Sequence, residues 1–411
     1  VRVLGLMSGT SFDAIEVAAA ELTSDGEDLT LRPLGSLSVP YADGLTARVA
    51  AVLPPATTTA GEICALDTLI GQAFAEAAAR GVAELAGGGA DLVVSHGQTI
   101  FHWVEEGRVL GTLQIGQPAW IAERTGLPVV ADLRTRDVAA GGQGAPLVSL
   151  VDTLLLSGEA PRAALNLGGI ANVTVVAEGR EAVAFDTGPA NALLDAVVAE
   201  ATGGARRYDA DGAGARAGTV HEGLLALLLA EPYYAAAPPK TTGKELFNLA
   251  YVDRALAALG GDRPSHEDLL ATLTRLTATT VARAVAPYEV AEVIASGGGT
   301  ANPALVADLA AELDRRAGAS LRTIDELGIP SGAKEAYAFA VLGWLTAHGL
   351  PGTAASCTGA SGPRVLGAIV PGAGGRLPRP ETTAPPRRLR VVEGLSQSPA
   401  VPRRTGTSRQ A

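Results

Sequence analysis

The stretch Leu165–Asp195, LNLGGIANVTVVAEGREAVAFDTGPANALLD, decides how the chain is read. Leu165–Leu167 is a short run that breaks at Gly168-Gly169. Val173–Val176 runs back, and after Glu178-Gly179 the run Val183–Phe185 ends on Asp186-Thr187-Gly188-Pro189. Apolar runs of this length, punctuated by glycine, predict strands joined by tight turns. Asp186 is then expected at a strand end beside Gly-Pro, exposed by geometry. An aspartate in that setting either satisfies its own backbone or presents a carboxylate to a ligand.

The N-terminus repeats the plan. Val3–Leu6 and Ala14–Ala20 predict two strands, joined by Met7-Ser8-Gly9-Thr10-Ser11-Phe12-Asp13. Backbone N–H groups and hydroxyls gathered in one turn suit phosphate oxygens, and Asp13 suits a hydrated Mg²⁺; an ordinary polar hairpin is the alternative. A third glycine turn, Ser296-Gly297-Gly298-Gly299-Thr300, follows the strand expected over Glu292–Ala295, with Asn302 as N-cap and Pro303 as first residue of the next helix. Three glycines there admit a flat ring or a phosphate close to the backbone. The spacing is not GxGxxG, which argues against dinucleotide binding.

Between these turns lie further candidates. Ala60–Ala86 has a helical pattern, and Asp91–Val94 predicts a buried strand ending at Ser95-His96-Gly97-Gln98-Thr99, polar groups at the mouth of a sheet. His96 suits positioning ahead of general base work, and Trp103, on the next strand, suits core or rim. Pro128–Ala131 predicts another buried strand delivering Arg134 beside the loop Gly141–Pro146. Arg134 either grips a carboxylate through its planar fork or pairs with Asp132 or Asp137. Residues 147–165 are the expected hinge. Lys240 and Lys244, two of only three lysines, sit in a loop that meets an anionic ligand or simply solvent. Glu335 opens an apolar helix, and periodicity leaves both an exposed face and a cleft open to it.

Composition bounds the function. At 411 residues the chain suits two domains, and 47% apolar residues against 18% charged suffice for a large core. A net charge of -11 argues against nucleic acid and anionic membrane as partners, which leaves small-molecule chemistry. Cys64 and Cys357 offer no disulfide framework or metal spacing; both are expected as small core residues in a reducing compartment. No apolar run reaches membrane-spanning length, and residues 1–20 lack the pattern of a signal peptide, so a cytoplasmic location is expected. From Pro371 onward proline and arginine dominate without apolar periodicity, and that tail is expected to be disordered.

Eight passages occurring in one order resemble the anhydro-N-acetylmuramic acid kinase family of the sugar kinase, Hsp70 and actin superfamily. They are GLMSGTSFD (5–13), HGQTIFH (96–102), DLRTRDVAAGGQGAPL (132–147), NLGGIANVT (166–174), FDTGPANALLD (185–195), PPKTTGKELFN (238–248), SGGGTANP (296–303) and KEAYAFA (334–340). The resemblance implies an α/β fold of two similar ribonuclease H-like domains facing across a cleft, 1–150 and 151–372, followed by a tail at 373–411. It implies ATP and Mg²⁺, a homodimer, and conversion of 1,6-anhydro-N-acetylmuramic acid, ATP and water into N-acetylmuramic acid 6-phosphate and ADP. A kinase for levoglucosan and a non-catalytic nucleotide sensor are the alternatives. Asp186 is then the base that activates water. Ser8, Gly9, Thr10 and Ser11 hold phosphates with Asp13 by the metal, and Gly168 and Gly169 approach from the other domain. Ser296, Gly297, Gly298, Gly299 and Thr300 lie by adenosine, while His96, Gln98, Thr99, Arg134 and Glu335 belong to the sugar site.

Overall fold

The computed structural model describes residues 1–9 and 12–392. Its first sheet is built from β1 (Arg2–Ser8), β2 (Ala14–Asp25), β3 (Asp28–Pro40), β4 (Leu92–Glu105), β5 (Arg108–Ile115) and β6 (Val129–Ala131). The second contains β7 (Arg162–Leu167), β8 (Ile170–Val176), β9 (Val183–Pro189), β10 (Glu292–Ser296) and β11 (Ser320–Thr323). Two late strands, β12 (Ala368–Val370) and β13 (Arg388–Val391), return to the first sheet.

The two sheets share one plan. Strands run β6-β4-β1-β2-β3 in the first and β11-β10-β7-β8-β9 in the second. In each, an antiparallel meander of three strands is extended on the side of its first strand by two parallel ones. This is the duplicated ribonuclease H-like arrangement. It makes the connection after β1 the counterpart of the turn after β7, where Gly168-Gly169 stand.

The largest core lies between the sheets. It combines Val3 and Val94 of the first sheet, Ala164 and Ile294 of the second, and the helices Ser149–Leu156 and Lys334–Ala347. The second helix approaches β1 so closely that a Cβ on Gly5 would lie 1.9 Å from the carbonyl oxygen of Ala336. A buried ion pair, Lys334 Nζ to Asp152 Oδ1 at 2.8 Å, ties the two helices together. Within 147–165, the expected hinge, Ser149–Leu156 forms a helix packed in this core.

Several expectations change. The helix Lys334–Ala347 packs against β1, and β12 pairs antiparallel with β6 of the first sheet. Within 373–411, Arg388–Val391 pairs in parallel with Asp28–Leu31, which gives that part of the tail an ordered place; residues 393–411 lie outside the described residues. β4 does not stop at Ser95. It continues to Glu105 through an irregular register at Ser8/Gln98, with Gly97 at φ +71°, so His102 and Trp103 stand on the same strand, paired with β5. Trp103 is half-exposed, on the rim. Asp186 lies inside β9, opposite Asn172, because pairing continues to Pro189. Cys64 is exposed and Cys357 half-buried. Among the described residues, no helix is long and apolar enough to cross a membrane.

Candidate active site

Asp186 is held from outside its own sheet. Its Oδ2 accepts from Thr241 Oγ1 at 2.8 Å and from the Thr242 amide at 2.9 Å, and no described residue bonds Oδ1. The backbone is fixed as well: its amide donates to Lys240 O and its carbonyl accepts from Tyr233 Oη. The loop that does this is anchored by Lys240 Nζ, which donates to the carbonyls of Tyr233 and Tyr234 and lies 4.8 Å over the Tyr233 ring. Phe247, fully buried, packs against Tyr233, Tyr234 and Tyr251. Burial raises the Asp186 carboxyl above the usual range, the Thr242 and Thr241 bonds oppose it, and Glu245 adds to the rise. A carboxylate so placed is poised to take a proton, with one oxygen fixed and the other available.

The second glycine turn is shaped by the helix that follows β9. Gly168 O accepts from the Asn191 amide, and Gly169 O from the amides of Ala190 and Ala192. These carbonyls satisfy the N-terminus of the helix Asn191–Ala201. Trans peptide geometry then points the Gly169 N–H away from that helix. From Gly169 to Asn172, opposite Asp186, is three residues of strand, roughly 10 Å. Glycine turn and carboxylate are thus neighbours with distinct places.

In the first domain, Gln98 organises the equivalent turn. Its Oε1 accepts from Ser8 Oγ at 2.7 Å and Tyr41 Oη at 3.3 Å, and its Nε2 donates to the carbonyls of Gly9 and Thr99, each at 3.2 Å. Ser8 and Gln98 are both buried, and the bonds given for the Ser8 hydroxyl and the Gln98 amide tie the end of β1 to β4. Thr99 Oγ1 accepts from Gln114 Nε2. Asp13 is exposed at the far end of the turn; Thr10 and Ser11 lie outside the described residues. Gln98→Ala leaves several buried partners unsatisfied, at about 1–3 kcal/mol each. A lower urea midpoint together with a raised ATP KM is the expected outcome, and an unchanged ATP KM would remove Gln98 from the loop's support.

His96 and Arg134 form one unit. Arg134 Nε donates to His96 Nε2 at 2.8 Å, and His96 Nδ1 lies 2.9 Å from Gly97 O. Arginine only donates, so Nε2 carries the lone pair and Nδ1 the proton. Burial, and then the Arg134 charge, hold the His96 pKa well below its ordinary value. The imidazole is neutral with its lone pair occupied, which is the chemistry of a positioning residue. Arg134 Nη1 also donates to Gly144 O, at 2.7 Å. Gly144 is held in turn by the fully buried Asp137, whose Oδ2 accepts from the Gly144 amide and whose Oδ1 accepts from Thr358 Oγ1. Asp137 thus acts through the loop, and no ion pair joins it or Asp132 to Arg134 among the described residues. Nη2 forms no bond to any described residue, which leaves the end of the fork for a ligand.

Glu335 opens onto solvent from a position deep among protein atoms, on the first turn of its helix. Burial pushes its carboxyl above the usual range, opposed by Arg134 and then Lys334. The third glycine turn is packed on the end of β7. Ser296 is buried with Oγ donating to Leu165 O, Thr300 Oγ1 closes on Gly297 O, and Cβ atoms on Gly297 or Gly299 would collide with Leu167 or Asn166. Only Gly298 has open space on its Cβ side. Beside this turn a cavity of about 260 Å³ opens between the helices His266–Val285 and Pro303–Ala317, with the Arg275–Asp308 ion pair in its wall. Thr274 Oγ1, also in the wall, is buried and has no hydrogen-bond partner among the described residues.

The family profile described as anhydro-N-acetylmuramic acid kinase matches residues 1–372. The chain belongs to this family. Relatives named anhydro-N-acetylmuramic acid kinase include one from Streptomyces avermitilis, 61% identical over 391 residues and covering 95% of this chain and 99% of the relative. Another, from Streptomyces coelicolor, is 59% identical and covers 96% of this chain and 100% of the relative. The relative from Caldanaerobacter subterraneus is 41% identical, covering 89% and 96%. As a member of the anhydro-N-acetylmuramic acid kinase family, the chain is an ATP-dependent sugar kinase. The match takes in the second sheet and all of the first except β13, so the paired glycine turns and Asp186 fall inside it.

Sequence reasoning left three contributors unassigned. Thr241 and Thr242 act on Asp186 from some 55 positions away, as the separations of 55 and 56 residues record. From the sequence Asp137 reads only as a partner of Arg134. The cavity beside Asn302 was not foreseen, since its lining comes from three separate segments.

Proposed function

We propose that the enzyme opens the 1,6-anhydro ring of anhydro-N-acetylmuramic acid with water and phosphorylates O6, with Asp186 as the base. The observation that carries this is the Asp186 carboxylate, with Oδ2 bound by Thr241 and Thr242 and Oδ1 left for a water. Asp186 takes a proton as the water oxygen bonds to the anomeric carbon, and the C1–O6 bond breaks. O6 bonds to the γ-phosphorus as the bond to the β,γ-bridging oxygen breaks, giving ADP. The arrangement is that of an inverting hydrolysis in which the phosphoryl group, not a carboxylic acid, takes up charge on the leaving oxygen.

Charge in the transferring group is met by glycine-turn amides, Gly9 from one domain and Gly168-Gly169 from the other. A single exposed carboxylate, Asp13, fits Mg²⁺, which binds through one or two carboxylates plus phosphate oxygens. The absence of any three-residue His, Cys, Asp or Glu cluster among the described residues agrees with that mode. When bound, the ion neutralises phosphate charge. Adenosine is assigned to the open edge at Gly298 and the cavity beyond it, where Thr274 Oγ1 lacks a partner among the described residues. Arg134 takes the lactyl carboxylate, with Thr99 and Glu335 toward the sugar hydroxyls and His96 holding Arg134.

The reading places the enzyme in the cytoplasm, in peptidoglycan recycling, without a nucleic-acid partner. Half-exposed apolar side chains on the β4–β5 hairpin, Phe101, Trp103, Leu110 and Leu113, support pairing of two copies. Light scattering is expected to give a dimer that Trp103→Glu dissociates; a monomer for the unaltered chain ends that reading. The function itself is tested by competition between anhydro-N-acetylmuramic acid and levoglucosan for ATP-dependent turnover. Preference for levoglucosan would overturn the substrate assignment.

A further inference from the structure

The chain has three lysines. Lys334 is paired with Asp152, and Lys240 is bound to the carbonyls of Tyr233 and Tyr234. Lys244 differs. Its Cε lies 3.5 Å from where a Cβ on Gly169 would stand, so its stem rests against the second glycine turn. Its ammonium forms no hydrogen bond and no ion pair with a described residue. Its charge is felt by Asp195, on the helix Asn191–Ala201, whose carboxyl is pushed up to about 6 by burial with Lys244 opposing.

The position of Lys244 is fixed by its loop. Asn248 caps the helix Leu249–Leu259 and its Nδ2 returns to Lys244 O at 2.9 Å, while Phe247 is locked in the aromatic cluster. Thr241 and Thr242 of the same loop hold Asp186. One short segment therefore grips Asp186 at one end and rests the Lys244 stem against the second glycine turn at the other.

We propose that Lys244 is the cation that neutralises the terminal phosphate of ATP during transfer, so that loop 240–248 couples phosphate recognition to the water-activating carboxylate. The proposal rests on the reading that Gly168-Gly169 face the phosphates. A compact ammonium with three rotatable donors follows the phosphoryl group as it moves from the β,γ-bridging oxygen to O6. Its stem packs on a residue without a side chain, which is the condition for the charge to reach the same oxygens as the Gly169 amide.

The test is calorimetric titration of the full chain with AMP and with the non-hydrolysable β,γ-imido analogue of ATP. Lys244→Gln is expected to weaken the triphosphate analogue about 10- to 100-fold while AMP is bound as before. Lys244→Arg is expected to restore most of the loss, and Asp195→Asn not to weaken the analogue. Unchanged analogue affinity in Lys244→Gln, or an equal loss in Asp195→Asn, would overturn the proposal and leave Lys244 as the partner of Asp195. Gly169→Val separates the underlying reading, because a branched side chain there covers the turn. If that variant binds the analogue normally, the phosphate assignment of the turn itself fails; if it loses the analogue while Lys244→Gln does not, only the lysine assignment fails.

Discussion

Asp186→Asn is expected to lower kcat by about 10²–10⁴-fold, the range for a general base, with KM for ATP little changed. The amide keeps the shape of the carboxylate and still offers an oxygen to Thr241 and the Thr242 amide, so the fold is retained. What it loses is the ability to take a proton from water. The pH dependence follows from the same burial that raises the Asp186 pKa. The base works ionised, so kcat falls as pH falls through its folded-state pKa, and that acid limb lies above the range of an ordinary aspartate. Thr241→Val removes one of the bonds that favour the charged form and moves the limb to still higher pH. A limb that stays in place in Thr241→Val would mean that another group sets it.

Arg134→Ala is expected to abolish the enzyme's preference for a lactyl-bearing sugar. With anhydro-N-acetylmuramic acid, kcat/KM falls by about 10- to 100-fold, the effect of one charge-assisted contact to a carboxylate. With 1,6-anhydro-N-acetylglucosamine, which has no lactyl group, the variant and the unaltered enzyme act alike. Arg134→Lys does not restore the preference, because an ammonium reproduces neither the fork nor the side-on bond to His96 Nε2. Equal losses on both sugars would show that Arg134 supports the site through His96 and Gly144 and does not read the substrate.

Much of the fold is legible where the signal is local. Asn302 caps its helix through the amides of Ala304 and Leu305, with Pro303 in the first turn. The glycine turns at 168–169 and 297–299 close the strands they were expected to close. β3 is hidden for a physical reason. Pro33 and Gly35 interrupt its pattern, and both sit beside the register shift opposite Ala19 and Ala20, where a bulge tolerates them. The return of the helix Lys334–Ala347 is hidden for another. Its residues are buried almost throughout, and an all-round apolar helix does not declare which sheet it packs on.

The site divides in the same way. Residue types left Asp186, Arg134 and Glu335 open between structural and ligand-binding uses, and the family resemblance supplied their roles. Their supports were invisible because each depends on a contact across the fold: Thr358 to Asp137, Gln98 to Ser8 and Tyr41, Thr241 to Asp186. Gln98 carries a sharper lesson. It belongs to a motif that points to sugar, yet its amide bonds Ser8 and Gly9 at the end of β1, Tyr41 after β3 and Thr99 on its own strand.

The most direct test of Asp186 as a water-activating base is a short reaction in ¹⁸O-labelled water with anhydro-N-acetylmuramic acid, ATP and Mg²⁺, quenched before the anomeric oxygen exchanges. The account predicts label on the anomeric carbon, unlabelled phosphate on O6, and first release of the anomer inverted relative to the anhydro bond. Label in free phosphate, or a phosphorylated sugar with its anhydro ring intact, would contradict it.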